Sequence, residues 1–378
     1  TSDEHCTLQQ SIINLYTQQL KTDKKLMEEG KPISICAKWC PSEGDSKDKK
    51  YKLVDTLTFN MDISSREYRK EYLTPLRSYL NIVEKYMCSG RWNEIEYSKV
   101  PSCAIKKLKK AFEKHSPEQF NAWKESLSKG EVKVNAKQLF PHELVKEMRT
   151  NRNCDEVCKA QWKVLEDEVR KLGTLSKALV VVDTSGSMTC NNYLPLDIAT
   201  GMGLLVSNVV EGEFHGNVIT FHSNPKFVHL KDNDIYKRYS QMLGMDWGGS
   251  TNIQATFDMI LERGVKAGLK QEDMPETIFI ISDMQFNSCA ENSSKTNFEV
   301  IKAKYKAYDY KIPRLVFWNV NGSSTDFPVT VDDNGTCLVS GASPSILKSV
   351  LNCKEFSSYG IMRTELDSER YKPIRELL

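Results

Sequence analysis

Apolar positions between Asp62 and Lys171 recur at three- and four-residue intervals, the period that places them on one face of a helix. Tyr68, Tyr72, Leu73, Leu76, Leu80 and Val83 form one such stripe and Ile105, Leu108 and Phe112 a second. Phe120, Trp123 and Leu127 form a third, and Leu144, Val145 and Met148 a fourth. Ser89-Gly90, Ser116-Pro117, Gly130 and Pro141 interrupt the stripes with loop signals. The spacing predicts short helices packed in pairs, a HEAT-like arrangement inferred from helix pairing alone, since no repeat of fixed period accompanies it. Residues 1–30 carry a weaker helical stripe (Leu8, Ile12, Ile13, Leu15 and Leu20). Residues 41–50, dense in Ser, Gly, Asp and Lys, are expected to form an exposed loop.

Beyond a linker at Lys171–Ser176 the pattern changes to short apolar runs alternating with helical stripes. Ala178–Val182, Asn217–Phe221, Lys226–Val228, Thr277–Ile281, Arg314–Asn319 and Thr336–Val339 read as strands, the second and third as a hairpin around Ser223-Asn224-Pro225. Leu194–Val210, Asp234–Met242, Ile253–Val265, Asn297–Tyr308 and Pro344–Leu351 read as helices. Strand–helix alternation of this kind implies a doubly wound, mostly parallel sheet. The expected organisation is an α-helical N-terminal domain over residues 1–172 and an α/β, Rossmann-like domain over residues 173–378.

The chemistry concentrates where the first of these strands ends. Ala-Leu-Val-Val-Val runs into Asp183-Thr184-Ser185-Gly186-Ser187, which puts a carboxylate and two hydroxyls on one loop at the strand's carboxyl end. Open α/β sheets bind ligands there. An all-oxygen donor set suits a hard cation such as Mg²⁺, not zinc or copper. This loop resembles the metal-ion-dependent adhesion site of von Willebrand factor A domains. That resemblance implies two further ligands on distant loops. Thr251, after the turn Gly248-Gly249-Ser250, and Asp283, after Thr277–Ser282, stand in the family's order. Ser185, Ser187 and Thr251 would then contact the cation directly, and Asp183 and Asp283 directly or through water. The cation would be Mg²⁺, with Mn²⁺ or Ca²⁺ as substitutes, and an open position would accept an Asp or Glu of a partner protein. Asp246-Trp247 lies beside the Thr251 turn as a candidate rim. A competing explanation makes Asp183 and Ser185 caps of the following helix, but capping does not account for Thr251 or Asp283. A dehalogenase-type phosphatase needs a second Asp where Ser185 stands, and Gly-x-Ser-x-Gly is absent. Metal-dependent hydrolysis is disfavoured: only His222 follows a strand towards the site, and no general base is evident.

The helical half narrows the resemblance. Ala37-Lys38-Trp39-Cys40-Pro41-Ser42, Glu67–Tyr72, Arg91-Trp92-Asn93-Glu94-Ile95, Phe140-Pro141-His142-Glu143-Leu144 and Val339-Ser340-Gly341 resemble a family found in plants, fungi and large DNA viruses. That family is similar to the Ro autoantigen, in which a helical TROVE module precedes a von Willebrand factor A domain. The resemblance covers roughly residues 33–355, with 33–172 corresponding to the helical module. It implies RNA binding, to a small structured or single-stranded RNA, on the helical part. The basic stretch Lys99–Lys114 supplies Lys106, Lys107, Lys109, Lys110 and Lys114 as candidate phosphate contacts. An ordinary solvated helix face is the alternative. A structural subunit of a larger, viral assembly is another reading of the same two modules.

Composition limits rather than directs these readings. Net charge is +2, with 40% apolar and 27% charged residues, so the sequence is globular and lacks a global polyanion signature. No apolar run approaches the ~20 residues of a membrane span, and no signal peptide is visible. Eleven Cys at irregular spacing, including Cys36-x-x-x-Cys40 and Cys154-x-x-x-Cys158, suggest reduced thiols rather than a disulfide framework or zinc site. The expectation is an intracellular, cytoplasmic protein without enzymatic activity, and the viral side of the resemblance adds packaging in a virion.

Overall fold

The structure, a computed structural model, describes residues 3–80, 82–134, 139–171, 177–220, 225–245, 253–283, 294–322, 335–352 and 356–376. One compact unit comprises Thr1–Val100, Ala111–Gln119 and Ser368–Leu378, and the other Pro101–Lys110 and Phe120–Asp367.

The first unit is helical. A single long helix, Asp3–Glu28, buries Leu20 in a core with Ala37, Cys40, Val54, Leu57, Met61, Tyr68, Leu73 and Leu76. The stripe that begins at Tyr68 is real, but its first six residues, Tyr68–Leu73, wind as a π-helix before Thr74–Tyr79 resumes the α form. The segment expected as an exposed loop is a turn followed by the short helix Ser46–Tyr51. Its Asp48 carboxylate accepts the backbone N–H groups of Gly44 and Val54 at 2.9 Å, and Asp45 accepts that of Ser42. Asp45 and Asp48 bond to the backbone, which a composition reading does not detect, while Glu43, Lys49 and Lys50 are exposed as expected.

The second unit is built on a six-stranded sheet of Ala178–Val182 (β1), Asn217–Thr220 (β2), Phe227–His229 (β3), Thr277–Ser282 (β4), Arg314–Asn319 (β5) and Thr336–Ser340 (β6). The order is β3-β2-β1-β4-β5-β6, parallel except for the antiparallel β2–β3 pair. Every residue of β1 and β4 is buried, as strands covered on both faces must be. The helix Cys190–Val209 explains part of that cover. Its buried residues surround it, from Leu196 and Ile198 to Leu205 and Val206, the pattern of a helix with no solvent face. Asn191, Asn192 and Tyr193 have φ of 48, 57 and 66°, so regular helix starts only after Tyr193.

The expected division at residue 172/173 follows the change of element type, and the packing divides differently. Leu144, Val145 and Met148 of the helix Pro141–Asn151, and Trp162, Leu165 and Val169 of Glu156–Arg170, lie in the same apolar core as β1 and β4. Among the described residues no helix is long and apolar enough to cross a membrane.

Candidate functional site

In the strand order 3-2-1-4-5-6 the chain reverses its direction of travel across the sheet between β1 and β4, the switch point at which open α/β sheets have their ligand crevice, at the carboxyl ends of the strands. Asp183 follows β1 and Asp283 follows β4, so the topology brings two carboxylates separated by a hundred positions to that crevice. Their strands are held in register by Val182 opposite Ile281, and the Asp183 N–H continues the pairing by donating to the Ile281 carbonyl at 3.0 Å. Both carboxylates are buried, at 4% and 0% exposure.

The Asp183 side chain is fixed at both oxygens. Oδ1 accepts the Ser185 N–H at 2.8 Å and turns the chain off the strand, while Oδ2 accepts the Ser282 hydroxyl at 2.5 Å. Burial pushes the Asp183 carboxyl above the usual range. The Ser282 and Ser185 hydrogen bonds pull it back, and the charge of Asp283 adds to the upward push. The Ser185 and Ser187 hydroxyls lie 3.0 Å apart, half-buried at the start of the 3₁₀ turn Gly186–Thr189. Ser185 precedes that turn but makes no side-chain capping bond to it. Asp183 likewise bonds to the turn at the strand end, so the capping explanation does not describe this geometry.

Of the expected site residues, Asp183, Ser185 and Ser187 share one loop, and Asp283 lies within electrostatic reach on the neighbouring strand end. Thr251, the Gly248–Ser250 turn, Asp246, Trp247 and His222 lie outside the described residues. Two carboxylates and two hydroxyls are hard oxygen donors and fit a hard divalent cation. Among the described residues no group of three or more His, Cys, Asp and Glu side chains is placed to hold a metal ion, here or elsewhere.

Three residues of the crevice escaped the sequence reading. Ser282 supplies the hydroxyl that orients Asp183. Asn319, opposite Ser282 in the β4–β5 register, accepts the Asn321 N–H at its Oδ1 at 2.8 Å, and the Asn321 amide donates to the Cys190 sulfur at 3.6 Å. A polar residue closing an otherwise apolar strand is the signal that could have found Ser282 and Asn319. A surface recess of about 460 Å³, lined by Lys177, Glu213, Phe214 and Leu269, opens at the amino ends of the strands, away from this chemistry.

The five candidate lysines of the helix Ser102–His115 separate into two groups. Lys106 donates to the Glu143 carbonyl, and Lys109 pairs with Glu147 at 3.0 Å and with Asp155, its side chain only 16% exposed. These two hold the helix to its neighbours. Lys107, Lys110 and Lys114 are exposed and, at three- and four-residue spacing, share one face.

Comparison with known proteins matches the family described as "Domain of unknown function (DUF7788)" to residues 177–374, just over half of the chain. "Domain of unknown function (DUF2828)" matches residues 1–65 and 58–175. Uncharacterized protein L728 of Acanthamoeba polyphaga mimivirus is 34% identical over 382 residues, covering 96% of this chain. The chain spans 66% of the length of that relative.

Proposed function

The chain belongs to the DUF7788 family of domains of unknown function, and we propose that its α/β half is a non-enzymatic docking module of the von Willebrand factor A kind, which binds a partner protein's carboxylate through a divalent cation. The observation that carries this reading is the meeting of buried Asp183 and Asp283 beside the Ser185–Ser187 hydroxyl pair at the switch point of the sheet. Concentrating negative charge in a buried crevice costs stability, as the upward push on Asp183 records. A bound Mg²⁺, or Mn²⁺ or Ca²⁺ in its place, would supply positive charge and an open coordination position for an Asp or Glu side chain. Ser185 and Ser187 are the hydroxyl ligands in this reading, with Thr251 as the third from its position in the sequence. Asp183 acts as the rigid anchor, because its two hydrogen bonds hold the loop against β4.

Calorimetric titration with Mg²⁺ and Mn²⁺ tests the site. Wild type should bind, while Asp183→Ala and Thr251→Ala should lose binding and keep the wild-type circular dichroism spectrum. Capture of protein partners should disappear in EDTA. Unchanged cation affinity in both variants would overturn the reading.

A second reading, RNA binding by a Ro-like helical half, is favoured by one observation: Lys107, Lys110 and Lys114 form an exposed basic row on the helix Ser102–His115.

A further inference from the structure

Cys36 opens the one-turn helix Cys36–Trp39, and Cys40 closes it with its N–H donating to the Cys36 carbonyl at 3.0 Å. The two sulfurs lie 3.8 Å apart. They differ in access: Cys40 is 3% exposed, whereas Cys36 is partly open to solvent. The peptide around them is gripped from one side by Arg77, whose guanidinium donates to the carbonyls of Ala37 and Cys40 at 2.8 and 2.7 Å and to the Ser42 hydroxyl at 2.8 Å. From the other side the Cys36 N–H donates to the Ser34 hydroxyl, which is itself anchored on Asp23. The Tyr68 hydroxyl donates to the Pro41 carbonyl at 3.3 Å, next to Cys40.

We propose that Cys36 and Cys40 form a redox-active dithiol that low-molecular-weight disulfides such as glutathione disulfide convert to an intramolecular disulfide. The geometry permits the bond. Residues four apart on a helical turn have Cα atoms roughly 6 Å apart, inside the range a disulfide spans. Cys40 already has extended backbone, φ −61° and ψ 141°, so its side chain can swing without unwinding a longer helix.

The division of labour follows from access. Cys36, the reachable thiol, loses its proton and attacks one sulfur of glutathione disulfide. A bond forms between Cys36 Sγ and that sulfur, the oxidant's S–S bond breaks, and the departing glutathione thiolate takes up the proton. Cys40 then attacks Cys36 Sγ, the mixed disulfide breaks, and the second glutathione thiolate accepts the proton that Cys40 released. Two protein thiols are oxidised by two electrons and one disulfide is reduced to two glutathione thiols. The surroundings suit Cys40 to the second step. The hydrogen bond between the two sulfurs favours the thiolate on Cys40, against burial and helped by the Tyr68 hydroxyl and the Arg77 charge, and it raises Cys36, so the first attack runs through the minor deprotonated form of the reachable thiol. Cys154 and Cys158 share the same spacing, but both are buried, at 8% and 1% exposure, which closes them to the first attack.

The test is incubation of the intact chain in glutathione buffers of stepped redox ratio, followed by non-reducing peptide mapping by mass spectrometry. Wild type should form a Cys36–Cys40 cross-link with no glutathione retained at either position, while Cys154 and Cys158 stay reduced. Cys40→Ser should stop at a stable glutathione adduct on Cys36. Absence of the cross-link in glutathione disulfide alone, or a persistent adduct on Cys36 in wild type, overturns the proposal. The wild-type map decides even where the variant does not fold.

Discussion

Asp197 is a buried carboxylate, 2% exposed, near the start of the regular helix that follows the crevice loop. Arg149 grips it with two bonds, Nε to Oδ1 at 3.0 Å and Nη2 to Oδ2 at 2.9 Å, donates to the Asn192 carbonyl and covers the Tyr193 ring at 4.6 Å. One guanidinium therefore neutralises a buried charge and holds the three left-handed residues that precede the helix. Burial pushes Asp197 up and Arg149 pulls it down, with burial the larger effect. Arg149→Ala should lower stability by about 3 kcal/mol, because an unpaired carboxylate stays behind in the interior. The sign of its pH dependence follows from the raised folded-state value. Charged Asp197 is then a penalty in the variant, present above the folded-state range and lost as the carboxyl protonates, so the deficit should shrink as pH falls from neutral towards about 4. Urea unfolding of both proteins across that interval checks this, and equal midpoints at neutral pH would refute it. Neither member of this pair was readable as a pair, since Arg149 and Asp197 are far apart in sequence and each sits on an unremarkable helix.

Between its two neighbours the helix Cys190–Val209 depends on two small residues. A Cβ on Gly203 would stand 2.6 Å from the Val182 side chain of β1 and 2.6 Å from Met242, while a Cβ on Gly201 would meet Pro141 atoms at 3.0 Å and the His142 nitrogen at 3.1 Å. One glycine seats the helix on the sheet and the other lets Pro141–Asn151 close over it. Gly201→Val should destabilise by about 1–3 kcal/mol, because the atoms it meets include backbone and the helix must move away. The matched control is Gly186, where a Cβ finds nothing within 4 Å, so Gly186→Ala should unfold with the wild-type transition. Thermal denaturation of the two variants reads the difference, and similar losses would mean that close packing at Gly201 is not what holds the layer. At this scale the periodicity reading succeeded for the elements themselves: Arg314–Asn319 is β5 to the residue, and the hairpin strands pair antiparallel. It identified the Leu144, Val145 and Met148 face of Pro141–Asn151 but not that this face would meet the α/β elements, because an apolar stripe states that a face is buried and not against what.

Over the whole molecule a net charge of +2 leaves no general attraction to nucleic acid, so the RNA reading rests on where the lysines project. Reversing Lys107, Lys110 and Lys114 to Glu should weaken binding of single-stranded RNA and flatten its salt dependence, by roughly one unit of slope for each phosphate that is no longer neutralised. Lys109→Glu should act on stability instead, since its partners are Glu147 and Asp155. Fluorescence anisotropy across a potassium chloride series separates the two effects, and wild type without salt-dependent binding would end the RNA reading. The two family matches meet between residues 175 and 177, whereas the compact units group residues 120–171 with the sheet. By itself the sequence determined the strand and helix pattern and the loop Asp183–Ser187, because periodicity and turn chemistry are local and are written in consecutive residues. Only the tertiary structure decided that Ser282 orients Asp183, that Asp283 bears on its charge, that Lys106 and Lys109 are spent on internal bonds, and that helices before the linker share the core of the sheet. Each of those depends on strand order and packing between residues distant in the chain, where burial and charge act through space.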